Sequence, residues 1–136
     1  MLAAAIGTAL LAAGCSGAAS TDQVWNHAFT TTSVVVDGAQ RPLVADSTLT
    51  LTFTSDSVSA KAGCNTMFGT VTLDDATVTT TSPLGMTMMA CEPTLMDQDR
   101  WISEFLSSRP TWQRDGVHLT LTSANTVIVL TDASSA

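Results

Sequence analysis

The sequence predicts an α+β fold, mainly β, in which one helix packs on a strongly curved antiparallel sheet or a partly open barrel. From Val24 onward, most runs alternate apolar and polar residues with a period of two, as half-buried strands do. One segment, residues 92–110, instead spaces its apolar residues as an amphipathic helix does. At 136 residues, the chain has room for one such domain, because domains commonly run about 100–150 residues.

The strand predictions follow one another along the chain. Residues 48–53 alternate threonine with apolar residues, and 58–62 return after a Ser-Asp-Ser turn. Residues 69–73 and 77–81 flank a turn at Asp74 and Asp75, and Asp115-Gly116 predicts a hairpin before 117–122. The last run, 126–131, is apolar on both faces and therefore predicts a central or covered strand. Residues 34–46 carry no strong signal.

The helical segment is predicted to bury one apolar stripe. Thr94 and Asp97 resemble a capping box, and Pro110 predicts the end. Asp97 and Asp99 are expected to complement the helix macrodipole. The predicted buried face comprises Leu95, Trp101, Ile102, Phe105 and Leu106. The other large aromatic residues are expected in the core or at its rim: Trp25, Phe29, Phe68 and Trp112.

The composition excludes one class of partner. The net charge is −7, with a single lysine. Phosphate backbones would repel so acidic a chain, so we expect no nucleic-acid binding.

The first residues indicate export. Residues 2–13 are apolar or small, too few for a transmembrane helix but suited to a signal peptide. Residues 11–15, Leu-Ala-Ala-Gly-Cys, resemble the lipobox of bacterial lipoproteins. The resemblance implies that residues 1–14 are a signal peptide, that Cys15 is lipidated, and that the chain is anchored to the membrane of the cell envelope. Residues 15–23 would then form a flexible tether before a domain over 24–132. A buried helix with a chance cysteine is the alternative.

Several residues could carry chemistry, and each has a plainer explanation. Asp74 and Asp75 are adjacent carboxylates but fit a solvated turn. Cys64 could form a nucleophile pair with His27 or His118, although His118 falls on the polar face of its strand. The sequence has no Gly-x-Ser-x-Gly, no His-Glu-x-x-His, no Gly-x-Gly-x-x-Gly and no phosphate-binding glycine loop.

The methionine-rich residues 86–91, Met-Thr-Met-Met-Ala-Cys, are a candidate Cu(I) site. Soft thioether and thiolate donors favour that ion, and Met67 and Met96 could add to them. Methionine also fills irregular gaps in cores. Because the run adjoins a helix, we expect core packing, with no metal and no cofactor.

Two segments together resemble the META domain, the HslJ-like family. They are Ala-Gly-Cys-Asn-Thr-Met-Phe-Gly-Thr-Val-Thr-Leu at 62–73 and the segment from Thr87 to Leu106. The resemblance covers residues 24–131 and implies a curved antiparallel sheet with a helix, often in exported or lipidated envelope proteins. It implies no catalytic residues. The residues that carry it are Gly63, Cys64, Asn65, Gly69, Thr87, Met89, Ala90 and Cys91.

The motif residues suggest structural roles. Gly63 and Gly69 suit a sharp bend or a bulge, and Asn65 is expected to bond local backbone in a turn. Three cysteines are an odd number for an exported protein. If Cys15 is lipidated, Cys64 and Cys91 remain, and we predict a disulfide between them. Two buried free thiols are the alternative.

These observations predict a non-enzymatic, membrane-anchored lipoprotein with a META domain. It would bind an envelope protein or support envelope integrity under stress. A carrier of an apolar ligand such as an acyl chain is one alternative, and an enzyme that uses Cys64 is another. A histidine beside Cys64 in an open cleft would favour the enzyme, whereas a Cys64–Cys91 contact would count against it.

Overall fold

A computed structural model describes residues 20–80 and 84–135. The predicted signal peptide and Cys15 lie outside the described residues. Within them, Thr21–Gln23 and Ala133–Ser135 are short 3₁₀ turns. The other elements are β1 (His27–Val36), β2 (Ala39–Gln40), β3 (Thr50–Thr54), β4 (Ser57–Lys61), β5 (Thr66–Leu73), β6 (Val78–Thr80), β7 (Gly85–Met86), α1 (Pro93–Ser107), β8 (Thr111–Asp115), β9 (His118–Ser123) and β10 (Thr126–Asp132).

The strands pair in the order β6-β5-β4-β3-β1-β10-β9-β8, with β2 added to β1 and β7 added to β5. The two ends of this order approach each other. The Val78 N–H donates to the Pro110 carbonyl at 2.9 Å, and the Trp112 N–H donates to the Ala76 carbonyl at 2.9 Å. The antiparallel sheet is therefore nearly closed into a barrel with one helix, and the predicted fold class is confirmed.

Tight hairpins connect several strands. The β8–β9 hairpin pairs Asp115 with His118, and Gly116, at φ +56°, begins its two-residue loop as predicted. In the β1–β2 hairpin, Asp37 and Gly38 have φ values of 54° and 76°. Two successive positive φ values are the conformation of a type I′ turn. This hairpin lies in residues 34–46, for which no element was predicted.

The core lies between the inner face of the barrel and α1. Leu49, Leu51 and Phe53, at alternate positions along β3 and just before it, are buried as predicted. Strand β10 lies between β1 and β9, and its Ile128 and Leu130 are fully buried. The last apolar run is therefore a central strand, as predicted.

The large aromatic residues occupy three kinds of environment. Phe29 and Trp112 are buried in the core, whereas Trp25 is half-buried at its rim. Phe68 is 51% exposed, and its ring covers Gly85, where an added Cβ would lie 2.5 Å from a ring carbon. Phe68 is therefore an outward-facing strand residue and not part of the core.

Helix α1 begins without the predicted capping box. Glu92 is the N-cap residue and makes no side-chain hydrogen bond there. Pro93 takes the first helical position, where no N–H is needed. The pattern correctly predicts a helix in this segment, but the start that it assigns to Thr94 and Asp97 is wrong.

The buried face of α1 also differs from the predicted stripe. The residues that are buried as predicted are Ile102, Phe105 and Leu106. Leu95 and Trp101 are only partly buried, although Trp101 packs against the core, so the prediction holds in part for these two residues. Two polar residues, Gln98 and Asp99, are buried on the helix instead. In the described part of the chain, no helix is long and apolar enough to cross a membrane.

Candidate functional site

The two family-motif segments meet at a disulfide. Cys64 and Cys91 are bonded, with Cα atoms 6.2 Å apart, within the range that such bonds span. The bond ties the bend between β4 and β5 to the residues before α1, as predicted. We call this region the junction: residues 62–66, residues 87–91 and the first half of α1.

Gly63 makes the bend possible. Its φ is +114°, and an added Cβ would lie 3.1 Å from both Leu95 and Ser47 side-chain atoms. Glycine alone adopts this conformation readily, and here it also lets the chain pass close to α1. Gly69 differs from the prediction. It pairs with Val58 in an unbroken β4–β5 register, so no bulge occurs there.

Asn65 holds the second motif segment in place. Its side-chain oxygen accepts hydrogen bonds from the Met89 N–H at 2.7 Å and the Thr87 hydroxyl at 3.0 Å. Its amide nitrogen donates to the Met89 carbonyl at 3.5 Å. The expectation of a local turn bond is therefore wrong, because the partners lie 22–24 residues away. Asn65 instead positions the methionine-rich segment beside β5.

Two buried polar residues join α1 to the junction. A carboxylate oxygen of Asp99 accepts a hydrogen bond from the Asn65 N–H at 2.9 Å. Gln98 accepts one from the Val44 N–H at 2.7 Å and donates to the Ala62 carbonyl at 2.8 Å. Asp99 is 1% exposed. Neither Asp97 nor Asp99 lies in the first turn of α1, so the prediction that they complement the macrodipole there is wrong. Side chains from one turn of α1 thus fix two loops.

Four methionines line one open cleft at the junction. Its volume is about 350 Å³, and Asn65 and Arg100 also line it. Met88 is 94% exposed, Met89 61% and Met96 39%. The expectation that the methionine-rich run packs in the core is therefore wrong for Met88 and Met89. Met67, in contrast, is buried in the core. The methionines of this surface, which we call the methionine cleft, are Met86, Met88, Met89 and Met96.

A second polar cluster lies at the other end of the barrel strands. Asp132 is 3% exposed, and its Oδ2 lies 2.7 Å from both His27 Nδ1 and Arg114 Nη2. Ser134 donates to its other oxygen from the hydroxyl and the backbone N–H. Burial raises the pKa of Asp132, but the hydrogen bonds from Ser134 and Arg114 lower it more, and the pKa lies well below its usual range. Asp132 is therefore a buried anion that holds three strand ends together.

This cluster has the residue types of a catalytic triad but not its geometry. In a triad, the histidine uses one ring nitrogen for the carboxylate and the other for the serine. Here His27 Nδ1 is the atom that faces both Asp132 and the Ser134 hydroxyl, which lies at 3.3 Å. The arrangement fits a structural ion-pair cluster and not a nucleophile with its base.

The other candidate catalytic or metal-binding side chains do not lie together in one site. Cys64 bonds Cys91, whereas His118 is exposed and contacts Thr131. Asp74 lies in the exposed turn predicted for it, and hydrogen bonds from two backbone N–H groups lower its pKa. Among the described residues, no three His, Cys, Asp or Glu side chains are grouped to hold a metal ion.

The burial of three polar residues was not predicted, although the sequence period of their elements indicates it: Gln98, Asp99 and Asp132. Gln98 and Asp99 lie three or four residues before Ile102, on the same helix face. Asp132 continues the alternation of Ile128 and Leu130 along β10, which places its side chain inward. In both elements, the period predicts burial of a residue whose polarity suggested exposure.

Solved structures share the fold. The chain resembles an NMR structure of a protein from Burkholderia xenovorans at TM-score 0.70 and 18% identity, covering 98% of this chain and 99% of that one. A second NMR structure, at TM-score 0.65 and 25% identity, covers 83% and 94%. A crystal structure of a DUF4847 family protein from Bacteroides vulgatus, at TM-score 0.57 and 14% identity, covers 82% and 95%. No curated protein matches the chain significantly.

The family comparison agrees with the motif residues. Residues 22–135 match the META domain, a range that includes the disulfide, the Asn65 contacts, the methionine cleft and the Asp132 cluster. The chain belongs to the META domain family.

Proposed function

We propose that this chain is a lipid-anchored, non-enzymatic binding protein of the bacterial cell envelope, with the methionine cleft as its binding surface. The observation that carries the proposal is the exposure of Met88, Met89 and Met96 around one cleft. Clustered exposed apolar side chains on a folded domain commonly mark interaction sites. The disulfide and the Asn65 hydrogen bonds hold the backbone of this surface in place.

Two observations support export and anchoring. Residues 11–15 resemble a lipobox, and Cys15 would carry the lipid. Cys64 and Cys91 are paired, as is usual for cysteines outside the reducing cytosol. Two acyl chains on Cys15 would anchor the domain stably, because each buried methylene contributes about 0.8 kcal/mol.

Two further observations support a non-enzymatic role. The Cys64 sulfur is bonded to Cys91 and is not a free thiolate. His27 directs one nitrogen at both Asp132 and Ser134, so it is not placed as the base between them. A fluorophosphonate probe, which reacts with activated serines, should leave the purified protein unlabelled. Labelling of Ser134 would contradict the proposal.

Metabolic labelling with a fatty-acid probe tests the anchor. The wild-type chain should carry the probe and fractionate with membranes, whereas Cys15→Ala should do neither. A variant with both Cys64→Ser and Cys91→Ser controls for labelling at other cysteines and should keep the probe. Equal labelling of wild type and Cys15→Ala would overturn the anchoring proposal.

The Cys15→Ala variant also tests the alternative that the protein carries an apolar ligand. Core side chains such as Phe53, Leu119 and Ile128 are fully buried and occupy the inner face of the barrel. Extraction of Cys15→Ala purified without detergent, followed by mass spectrometry, should therefore yield no stoichiometric acyl ligand. One acyl chain per protein would favour the carrier instead.

A further inference from the structure

Methionine is distributed unevenly in this fold. The chain has six methionines, and four of them line the methionine cleft. Met67 packs in the core, as methionine often does. Of the other described methionines, Met86 packs partly against the core, whereas Met88, Met89 and Met96 are exposed, so gap filling in the core does not explain these three.

The donor atoms at this cleft are soft. A thioether is a neutral sulfur ligand that favours Cu(I) over the hard cations, which prefer oxygen. No carboxylate lines the cleft among the described residues. The Asn65 side-chain oxygen already accepts hydrogen bonds from Met89 and Thr87. Sulfur is therefore the available ligand type.

We propose that the methionine cleft binds one soft monovalent cation, Cu(I), through the thioethers of Met88, Met89 and Met96, with Met86 as a further ligand. The inference rests on the proposed function in one respect, that this cleft is the binding surface. It names the ligand class that the surface would take. Ag(I) has the same preference for sulfur and serves as a redox-inert probe.

The backbone that carries these side chains is fixed from two directions. The Met89 N–H and carbonyl both bond Asn65, while Met96 lies near the start of α1, which begins two residues after Cys91. Methionine side chains have three rotatable bonds and adjust their sulfur positions on such a frame. The site thus combines a positioned backbone with adaptable ligands.

The acidity of the whole chain favours a cation, whereas the one charged side chain that lines the cleft opposes it. The chain carries a net charge of −7, which raises the local concentration of cations. Arg100 lines the cleft and opposes this, although its guanidinium lies 3.0 Å from the Asp97 carboxylate. Removal of that positive charge by Arg100→Gln should strengthen cation binding, whereas it should leave a purely apolar ligand unaffected.

Leucine substitutions separate a metal site from an apolar docking surface. Met→Leu keeps the volume and the apolar character of the side chain but removes the sulfur. Met88→Leu and Met96→Leu should each lower Cu(I) affinity by about tenfold or more, because even the loss of a residue that only orients a metal ligand costs about 10–100-fold in affinity. Met67→Leu, in the core, is the matched control and should leave the affinity unchanged.

The test uses the full chain carrying Cys15→Ala, with the Cys64–Cys91 bond oxidised and the methionine methyl groups labelled with ¹³C. Titration with Ag(I) in chloride-free buffer should saturate at one equivalent. It should shift the methyl signals of the methionine cleft and leave that of Met67 in place. Cu(I) affinity is then measured by competition with a colorimetric Cu(I) chelator. Absence of saturable shifts, or unchanged affinity in both Met88→Leu and Met96→Leu, would overturn the inference.

The two proposals fail separately in these experiments. The titration uses a soluble chain and does not depend on the lipid at Cys15. Loss of cation binding would therefore leave the fatty-acid labelling result standing. Conversely, a chain that binds Ag(I) but takes up no fatty-acid probe would keep the cation site and lose the anchor.

Discussion

The barrel and the junction are stabilised by different kinds of contact. In the barrel, Ile128 and Leu130 are buried because every second residue of a central strand faces the core. In the junction, Asn65 and Asp99 are buried, and each forms hydrogen bonds to distant parts of the chain. The Cys64–Cys91 disulfide also joins the two motif segments there. The barrel follows from a local repeat, whereas the junction depends on particular side chains. The barrel should therefore tolerate apolar substitutions of similar size, while the junction should depend on the identity of each polar residue.

The largest effect should come from the apolar core. Phe105 is 6% exposed and belongs to the core cluster between α1 and the barrel. Phe105→Ala should lower the free energy of unfolding by about 3–5 kcal/mol, because it leaves a cavity. Ser107→Ala, at an exposed position of the same helix, is the control and should change it little. Denaturant unfolding measures both, and a loss below about 1 kcal/mol for Phe105→Ala would mean that the helix does not pack as described.

The disulfide tests the covalent part of the junction. Replacing both cysteines, Cys64→Ser with Cys91→Ser, should lower the free energy of unfolding by about 3–4 kcal/mol, since the closed loop restricts the unfolded chain. The separation of 27 residues sets that estimate. Chemical reduction of the wild-type chain should give a similar loss. If neither change destabilises the protein, the bond adds nothing to the contacts around it.

The Asp132 cluster sharpens the comparison, because here polar contacts lie within the barrel itself. Asp132→Asn should cost about 1–3 kcal/mol at neutral pH, the scale of lost hydrogen bonds to a charged group. The folded-state pKa of Asp132 lies below its usual range. Its contribution is therefore present above the unfolded value, about 3.9, and is lost as the pH falls below that value toward the folded one.

Unfolding measured from pH 7 to pH 2 checks the sign. The wild-type protein should lose stability on the acid side, and Asp132→Asn should lose less over the same range. Asp75→Asn, in the exposed turn, is the comparison variant and should keep the wild-type slope. Identical slopes for wild type and Asp132→Asn would show that Asp132 is not the group responsible.

The smallest effect should come from the methionine cleft. Met88 is 94% exposed, so Met88→Leu should change the free energy of unfolding by less than about 0.5 kcal/mol. The same measurement on Met67→Leu, in the core, should show a larger change, up to about 1.5 kcal/mol. A strongly destabilised Met88→Leu variant would mean that this side chain packs in the fold and is not free to bind.

The sequence predicts the barrel better than the junction for a physical reason. Residues 48–53 predict a strand because every second residue is apolar, and residues 126–131 predict one because the short run is apolar on both faces. Asp37-Gly38 is likewise a residue pair typical of a type I′ hairpin, which the structure has at that position. Gln98 contacts residues 36–54 positions away, and no local pattern encodes which distant backbone groups it will meet.

The cysteines are an instructive intermediate case. Counting them predicted the Cys64–Cys91 pair, because a bond needs two partners and few remained. The same count says nothing about Asn65, which has many possible partners. The residues of the family motif could thus be identified from the sequence, but the segment that Asn65 holds could not.

Amide hydrogen exchange at Met89 tests the central claim most directly. The Met89 N–H donates to the Asn65 side chain although the Met89 side chain is exposed. It should be protected in the wild-type protein and unprotected in Asn65→Ala, while the Ile128 amide on central strand β10 stays protected in both. That result would show that the Asn65 side chain holds the methionine segment in place and that the barrel folds without this side chain. A Met89 amide that keeps its protection in Asn65→Ala, or lacks it in wild type, would contradict the account.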